Sequence, residues 1–154
     1  MAKKSESNIL ASNKKAYHDF EILEKIEAGI VLSGAEVKSV RANQANLKGA
    51  YLEVSAGNEV FVRNIHISPY KFAEQKDYSP VRKRKLLLNQ KEIGLIREKL
   101  EEAGATVIPL DFHIKNNRIK LLVGICRGKK KHDKREELKK KSQEIEIKRA
   151  LKKY

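Results

Sequence analysis

Four histidines, one cysteine and twenty carboxylic side chains are the groups in this chain with a capacity for covalent, metal or acid–base chemistry. Their spacing does not assemble such a site. His18, His66, His113 and His132 fall in no metal-ligand pattern, which for zinc asks for ligand pairs a few residues apart. Cys126 stands alone, so an intramolecular disulfide and a cysteine-cluster zinc site are excluded, and a reducing cytosol suits it. Glu24 and Glu27 are three apart and in a strand would face opposite sides, which disfavours a general acid–base pair. No Gly-rich phosphate loop and no G-x-S-x-G motif occurs. The expectation is no catalytic residue, no metal and no cofactor.

Positive charge is what recurs. Cations cluster at Lys14-Lys15, at Lys38 and Arg41, at Arg82–Lys85, at Lys115, Arg118 and Lys120, and through the segment from Lys129 to the end. That last segment holds 12 Lys/Arg and 5 Asp/Glu, a net of +7, which is half of the whole-chain +14. Each cluster alone reads as a solvated face. Together, on a chain of pI ≈ 9.8, they point to a polyanion, and the commonest polyanion in a cell is nucleic acid. Tyr17, His18 and His132 lie close to these clusters in sequence and can stack or hydrogen-bond. Phosphate neutralisation gives affinity, and contacts to unpaired bases give RNA selectivity.

Strands and short helices must carry these groups. His18–Leu32 alternates at period two through Phe20, Ile22, Ile26, Ala28, Ile30 and Leu32, broken at Glu24, and predicts a strand bent near Gly29. Ser33 and Glu36 form a capping box for a short helix ending around Arg41–Asn43, with Lys38 and Arg41 on one edge. Strands follow at Ala50–Val54 and Glu59–His66, joined through Gly57-Asn58. Tyr70–Lys85 lacks a period and predicts a long exposed loop. Asn89 and Glu92 start a helix running to Ala103, with Gly104 at C′. Thr106–Ile114 and Ile119–Cys126 form a hairpin, and Lys120 points away from the Ile119/Leu121 face.

The order β-α-β-β-loop-α-β-β predicts an α+β, mainly β fold: a small antiparallel barrel with embedded helices, like an oligonucleotide-binding barrel. Residues 1–12 are expected to be flexible, 13–128 to form the RNA-binding barrel, and 129–154 to be a basic tail. The tail has too few large apolar residues to offset its ordering entropy, so alone it is expected to be disordered. Its early acids and late bases suit a helix macrodipole, so it can become helical against a partner. No run of 18 apolar residues and no secretory h-region is present, so neither membrane nor export is expected.

Eight stretches in register carry a specific likeness. They are N-K-K-A-Y-H-D-F at 13–20, E-A-G-I at 27–30, G-A-E-V-K-S-V-R at 34–41, N-L at 46–47, H-I-S-P-Y at 66–70, R-K-R-K-L-L-L-N at 82–89, K-E-I at 91–93 and G-K-K-K-H-D-K-R at 128–135. Together they resemble the SmpB family, the SsrA-binding proteins of bacterial trans-translation. Asn43 stands where that family commonly has glycine, and Cys126 where it has alanine. Beyond Arg135 the likeness is loose.

The resemblance implies a non-enzymatic cytoplasmic adaptor. Such a protein binds the tRNA-like domain of transfer-messenger RNA, stands in for its missing anticodon arm, and delivers it to ribosomes stalled on messages without a stop codon. Elongation factor Tu would take part through that RNA complex. The resemblance also implies that Asn13, Lys14 and His18 contact the tRNA-like elbow, and that Glu27, Leu87 and Lys120 are needed for RNA binding. Lys38 and Arg41 join them on helix geometry and charge. Taken by itself, Leu87 inside Leu86-Leu87-Leu88 reads as core, and Glu27 either accepts from base N–H groups or orients neighbouring cations. In the tail, Lys129, Lys130, Lys131, His132, Asp133, Lys134 and Arg135 would engage the small-subunit decoding region and the empty mRNA channel, with His132 stacked on an rRNA base.

Overall fold

The computed structural model describes residues 8–73 and 76–129. Nine strands and three helices are assigned there: β1 (Ile9–Ser12), α1 (Lys14–Asp19), β2 (Phe20–Ile30), α2 (Gly34–Arg41), β3 (Ala45–Asn46), β4 (Tyr51–Val54), β5 (Val60–Arg63), β6 (His66–Ile67), β7 (Arg84–Leu87), α3 (Gln90–Glu101), β8 (Ala105–Lys115) and β9 (Arg118–Gly128).

Local chemistry accounts for the element boundaries. At α2, the Ser33 hydroxyl accepts from the Glu36 N–H at 3.2 Å and the Glu36 carboxylate accepts from the Ser33 N–H at 3.0 Å. Asn89 and Glu92 do the same for α3, at 2.9 and 3.0 Å, so both capping boxes form as the sequence predicts. Gly104 has φ 79° but lies two residues past the C-cap Glu102, one further than C′. Asn116 and Asn117 both have positive φ, the backbone that a tight two-residue hairpin turn needs.

The sheet departs from expectation. Seven strands pair in the order β1-β8-β9-β2-β7-β5-β4, and β3 pairs with β6 separately. All ladders are antiparallel. The ladder is open, with β1 on one edge and β4 on the other, so this is not a closed barrel. The sheet curls until β4 comes near β8, and α3 packs against both, but no hydrogen-bonded ladder joins them. Local patterning predicts strands; closure depends on a pairing between distant segments that no local pattern encodes.

Four other expectations change. Ile9–Ser12, expected to fray, pairs with β8. His18 and Asp19, expected at the start of a strand, instead end a helix over residues 14–19, and the strand begins at Phe20. Asn13 caps that helix by accepting from the Ala16 N–H at 3.2 Å. The irregularity in β2 lies between Ile22 and Glu24, not at Gly29. The loop after Tyr70 stops at Lys83, because β7 begins at Arg84.

The β2 bulge explains why apolar residues at even numbers on either side of Glu24 serve two cores. Ile22 pairs with Cys126, whereas Ile26 pairs with Val123. Residues 123 and 126 face opposite sides of β9, so the extra residue moves the even-numbered apolar set across the sheet. Ile26 and Ala28 join the main cluster with Val62, Ile96, Phe112 and Leu121. Phe20 and Ile22 pack on Ala16, Ile108, Leu110 and Cys126. A matching register shift between Pro109 and Asp111 separates Leu110 from Phe112 in β8.

Candidate nucleic-acid interface

Strand register builds a patch on the face opposite the main core. His113 pairs with Lys120, Lys120 with Gly29, and Gly29 with Leu87. Directly opposed residues of antiparallel strands share a face, so these four form one transverse row across β8, β9, β2 and β7. The neighbouring row places Asp111, Leu122 and Glu27 beside it. Gly29 is the low point: a Cβ there would lie 3.1 Å from Leu87 Cβ. A concavity of about 330 Å³ lies at one end of this row beside α2, lined by Gly29, Leu87 and Lys120 with Val37, Arg41 and Arg118 among others. Arg41 donates to the Asn117 carbonyl at 3.3 Å, which fixes the end of α2 over the β8–β9 turn.

Leu87 is 56% exposed, which overturns its reading as core. In Arg84–Leu87 the burial alternates, and Leu86 takes the inward position. Lys120 lies on the outward face as expected, and no hydrogen bond or ion pair engages it among the described residues.

Glu27 lies half-buried on the same outward face, with both carboxylate oxygens engaged by its neighbours. One carboxylate oxygen lies 2.6 Å from His113 Nε2 and the other accepts from Lys115 Nζ at 2.9 Å. His113 Nδ1 in turn lies 2.7 Å from Asp111 Oδ1. Carboxylates only accept, so both contacts are hydrogen bonds when each ring nitrogen carries a proton. The His113 bond, followed by Lys115, outweighs partial burial and holds the Glu27 carboxyl below the usual carboxylate range. His113 reads in the sequence as an ordinary strand residue. The signal that could have found it is D-F-H at 111–113, a spacing that puts both polar groups on one face.

The remaining candidates scatter. Asn13 is 5% exposed, and its amide donates to Pro109 O at 2.9 Å and Leu47 O at 3.3 Å. That side chain is committed to positioning α1 and is not presented to a ligand. Lys14 is exposed on α1. His18 is half-exposed, with Nδ1 2.9 Å from Asp19 Oδ1. The α1 helix covers the far end of the same sheet face through Ala16, and Lys25 Nζ sits 5.6 Å from the Tyr17 ring, between α1 and Glu27. Lys38 turns away from Arg41 to lie 5.5 Å from the Tyr70 ring. Lys129 is at the limit of the described residues, its N–H donating to Asp19 O at 3.1 Å. Lys130, Lys131, His132, Asp133, Lys134 and Arg135 lie outside the described residues.

The basic run Arg82–Lys85 splits. Arg84 and Glu36 are both fully buried and pair at 2.6 Å, and Arg82 pairs with the same carboxylate. The Tyr78 hydroxyl donates to Glu36 at 3.0 Å. Burial raises the Glu36 carboxyl, but bonds from Arg82, the Ser33 N–H and Arg84 outweigh it and hold it at about 2. Lys83 and Lys85 are exposed. Among the described residues no cluster of three His, Cys, Asp or Glu could hold a metal ion, and no helix is long and apolar enough to cross a membrane.

The family model described as SmpB protein matches residues 10–153. The chain belongs to the SmpB family. Among SmpB relatives, the SsrA-binding protein of Ligilactobacillus salivarius is 49% identical, covering 100% of this chain and 99% of the relative. That of Anoxybacillus flavithermus is 48% identical over 96% of each. A chain of the solved structure "tmRNA-SmpB: a journey to the center of the bacterial ribosome" is 40% identical with a TM-score of 0.66. It covers 78% of this SmpB-family chain, which covers 84% of it.

Proposed function

We propose that this chain is a transfer-messenger RNA adaptor of trans-translation, acting in the cytoplasm without catalysis. It binds the tRNA-like domain and carries that RNA to ribosomes stalled on messages lacking a stop codon. The supporting observation is the single patch in which register gathers Lys120, Leu87 and Glu27, with Arg41 at its rim, on a chain of the SmpB family. Lys120 and Arg41 supply charge for phosphates. Leu87, exposed against Gly29, supplies apolar contact to a ribose or base edge. Glu27 is the internal counter-charge that keeps His113 and Lys115 in place, with both oxygens engaged. Lys14 and His18 extend the surface along α1, and Asn13 acts through the position of that helix. Lys38 adds charge on the far side of α2. Residues 129–154 form the segment that enters the mRNA channel, where Lys129–Arg135 meet the decoding region; occupied channels exclude it, so emptiness itself is recognised. Elongation factor Tu reaches the protein through the shared RNA.

The test is a filter-binding competition. The full chain meets the tRNA-like domain at physiological salt, with excess ordinary tRNA present. Binding that survives the competitor is the expected result. Binding that collapses under it would reduce the interaction to phosphate charge and remove the adaptor reading.

A further inference from the structure

On the other side of α2, beside Lys38, lies a second surface set apart from the row of Lys120, Gly29 and Leu87. Phe72 is 75% exposed, although phenylalanine is among the residues most often buried. Its ring packs edge-on to Tyr70, with centroids 5.4 Å apart and planes at 67°. Each ring has its own cation: Lys71 Nζ lies 4.8 Å from the Phe72 centroid and Lys38 Nζ lies 5.5 Å from that of Tyr70. Both rings border a concavity of about 530 Å³ whose other walls include Ser39, Gln44 and Pro69.

The surface is held in place from both sides. Before it, the Ser68 N–H donates to Gln44 O at 3.0 Å. Behind it, the Ile67 N–H donates to Pro80 O at 2.9 Å, and Tyr78, Arg82 and Arg84 all bond Glu36 on α2. The strand leading into the aromatic pair is thus tied down beside the same helix that carries Lys38.

We propose that Tyr70 and Phe72, with Lys38 and Lys71, form a stacking platform for the unpaired bases of a single-stranded RNA segment. Every base has a face that stacks on an aromatic ring, and the adjoining phosphates need cations at the ring edge. Here the cations are in place, and the Gln44 amide in the wall can meet a base edge. A cation against each ring, on a chain of net charge +14, favours a polyanion over a protein partner. The platform rests on RNA being the partner, but its ligand and its helix edge differ from those of the Lys120 patch.

The chain has no tryptophan, so Phe72→Trp supplies a single local reporter. The full-length variant is titrated with an eight-nucleotide oligoadenylate and, separately, with an eight-base-pair RNA duplex. Saturable quenching by the single strand and little by the duplex is expected, with the apparent affinity at the reporter falling severalfold in a Lys38→Gln background. Wild-type protein is also photo-crosslinked to a 4-thiouridine octamer, and adducts on the Tyr70–Phe72 peptide are expected. Equal quenching by the duplex, no quenching at all, adducts confined to the tail, or a fluorescence change with protein concentration alone would each overturn the platform; the last would mark contact with a second copy. Lys120→Ala separates the two readings, since it should weaken tRNA-like-domain binding and leave the octamer signal intact. A quenched reporter beside failed competition binding would remove the adaptor reading and keep the platform, and the reverse would do the opposite.

Discussion

At Lys120, a single cation sits in a row whose other members are His113, Gly29 and Leu87. Replacing it with alanine removes one positive charge from the proposed RNA surface and leaves the buried face of β9 untouched. Lys120→Ala is expected to weaken tRNA-like-domain binding by about tenfold, with the salt slope falling by about one; filter binding at several salt concentrations measures both. Glu27 makes a different prediction, because its oxygens serve His113 and Lys115. Glu27→Gln keeps the shape but removes the counter-charge. If Glu27 organises rather than contacts, the change shifts the pH dependence of RNA binding as well as its strength, whereas a direct contact lowers affinity uniformly with pH. The carboxyl is held down in the folded state, so its contribution to stability is present above its unfolded value and lost as pH falls through the folded one.

Within β7 and the loop before it, burial follows the strand period rather than the charge. Arg84 turns inward to Glu36 while Lys85 turns out. A buried pair is costly to break, because the remaining charge is stranded without water. Arg84→Ala is therefore expected to cost ~3–5 kcal/mol in urea unfolding, and to open the loop from Tyr70 to Lys83 to trypsin. The same pairing sets an acid limit. Glu36 falls from its ordinary 4.5 to about 2 on folding, so the stability it supplies is complete above about 4.5 and is lost as pH drops towards 2. The urea midpoint should decline across that window.

Charge and apolar content are distributed unevenly over the whole molecule. The residues through β9 hold both hydrophobic clusters, while the segment from Lys129 carries half the net charge. A chain ending at Lys129 is expected to unfold with an unchanged midpoint and to bind the tRNA-like domain within about twofold of the full chain, since the proposed phosphate contacts lie on the sheet face. Peptide tagging on stalled ribosomes in a reconstituted system should be lost. A large loss of RNA affinity on truncation would show that the tail, not the patch, carries binding.

Short-range signals were legible without a structure. Both capping boxes, the Asn116-Asn117 turn, the alternation of β9 and the outward Lys120 each depend on residues a few positions apart. So did the likeness to the SmpB family, carried by motifs in register. What the tertiary structure decided depends on partners far away in sequence. Leu87 is exposed because Leu86 takes the inward place on β7 and Gly29 leaves it a shelf. Asn13 is buried because its amide satisfies carbonyls of Leu47 and Pro109. Arg84 is buried because Glu36 awaits it 48 residues back. The sheet stays open because β1 and β4 never pair. A one-residue bulge keeps the even numbering of the apolar residues on both sides of Glu24 yet moves the side chains beyond it to the other face. Sequence alone therefore determined the locally encoded elements and the family they build, and only the folded chain determined which side of each element is buried and which is left for a partner.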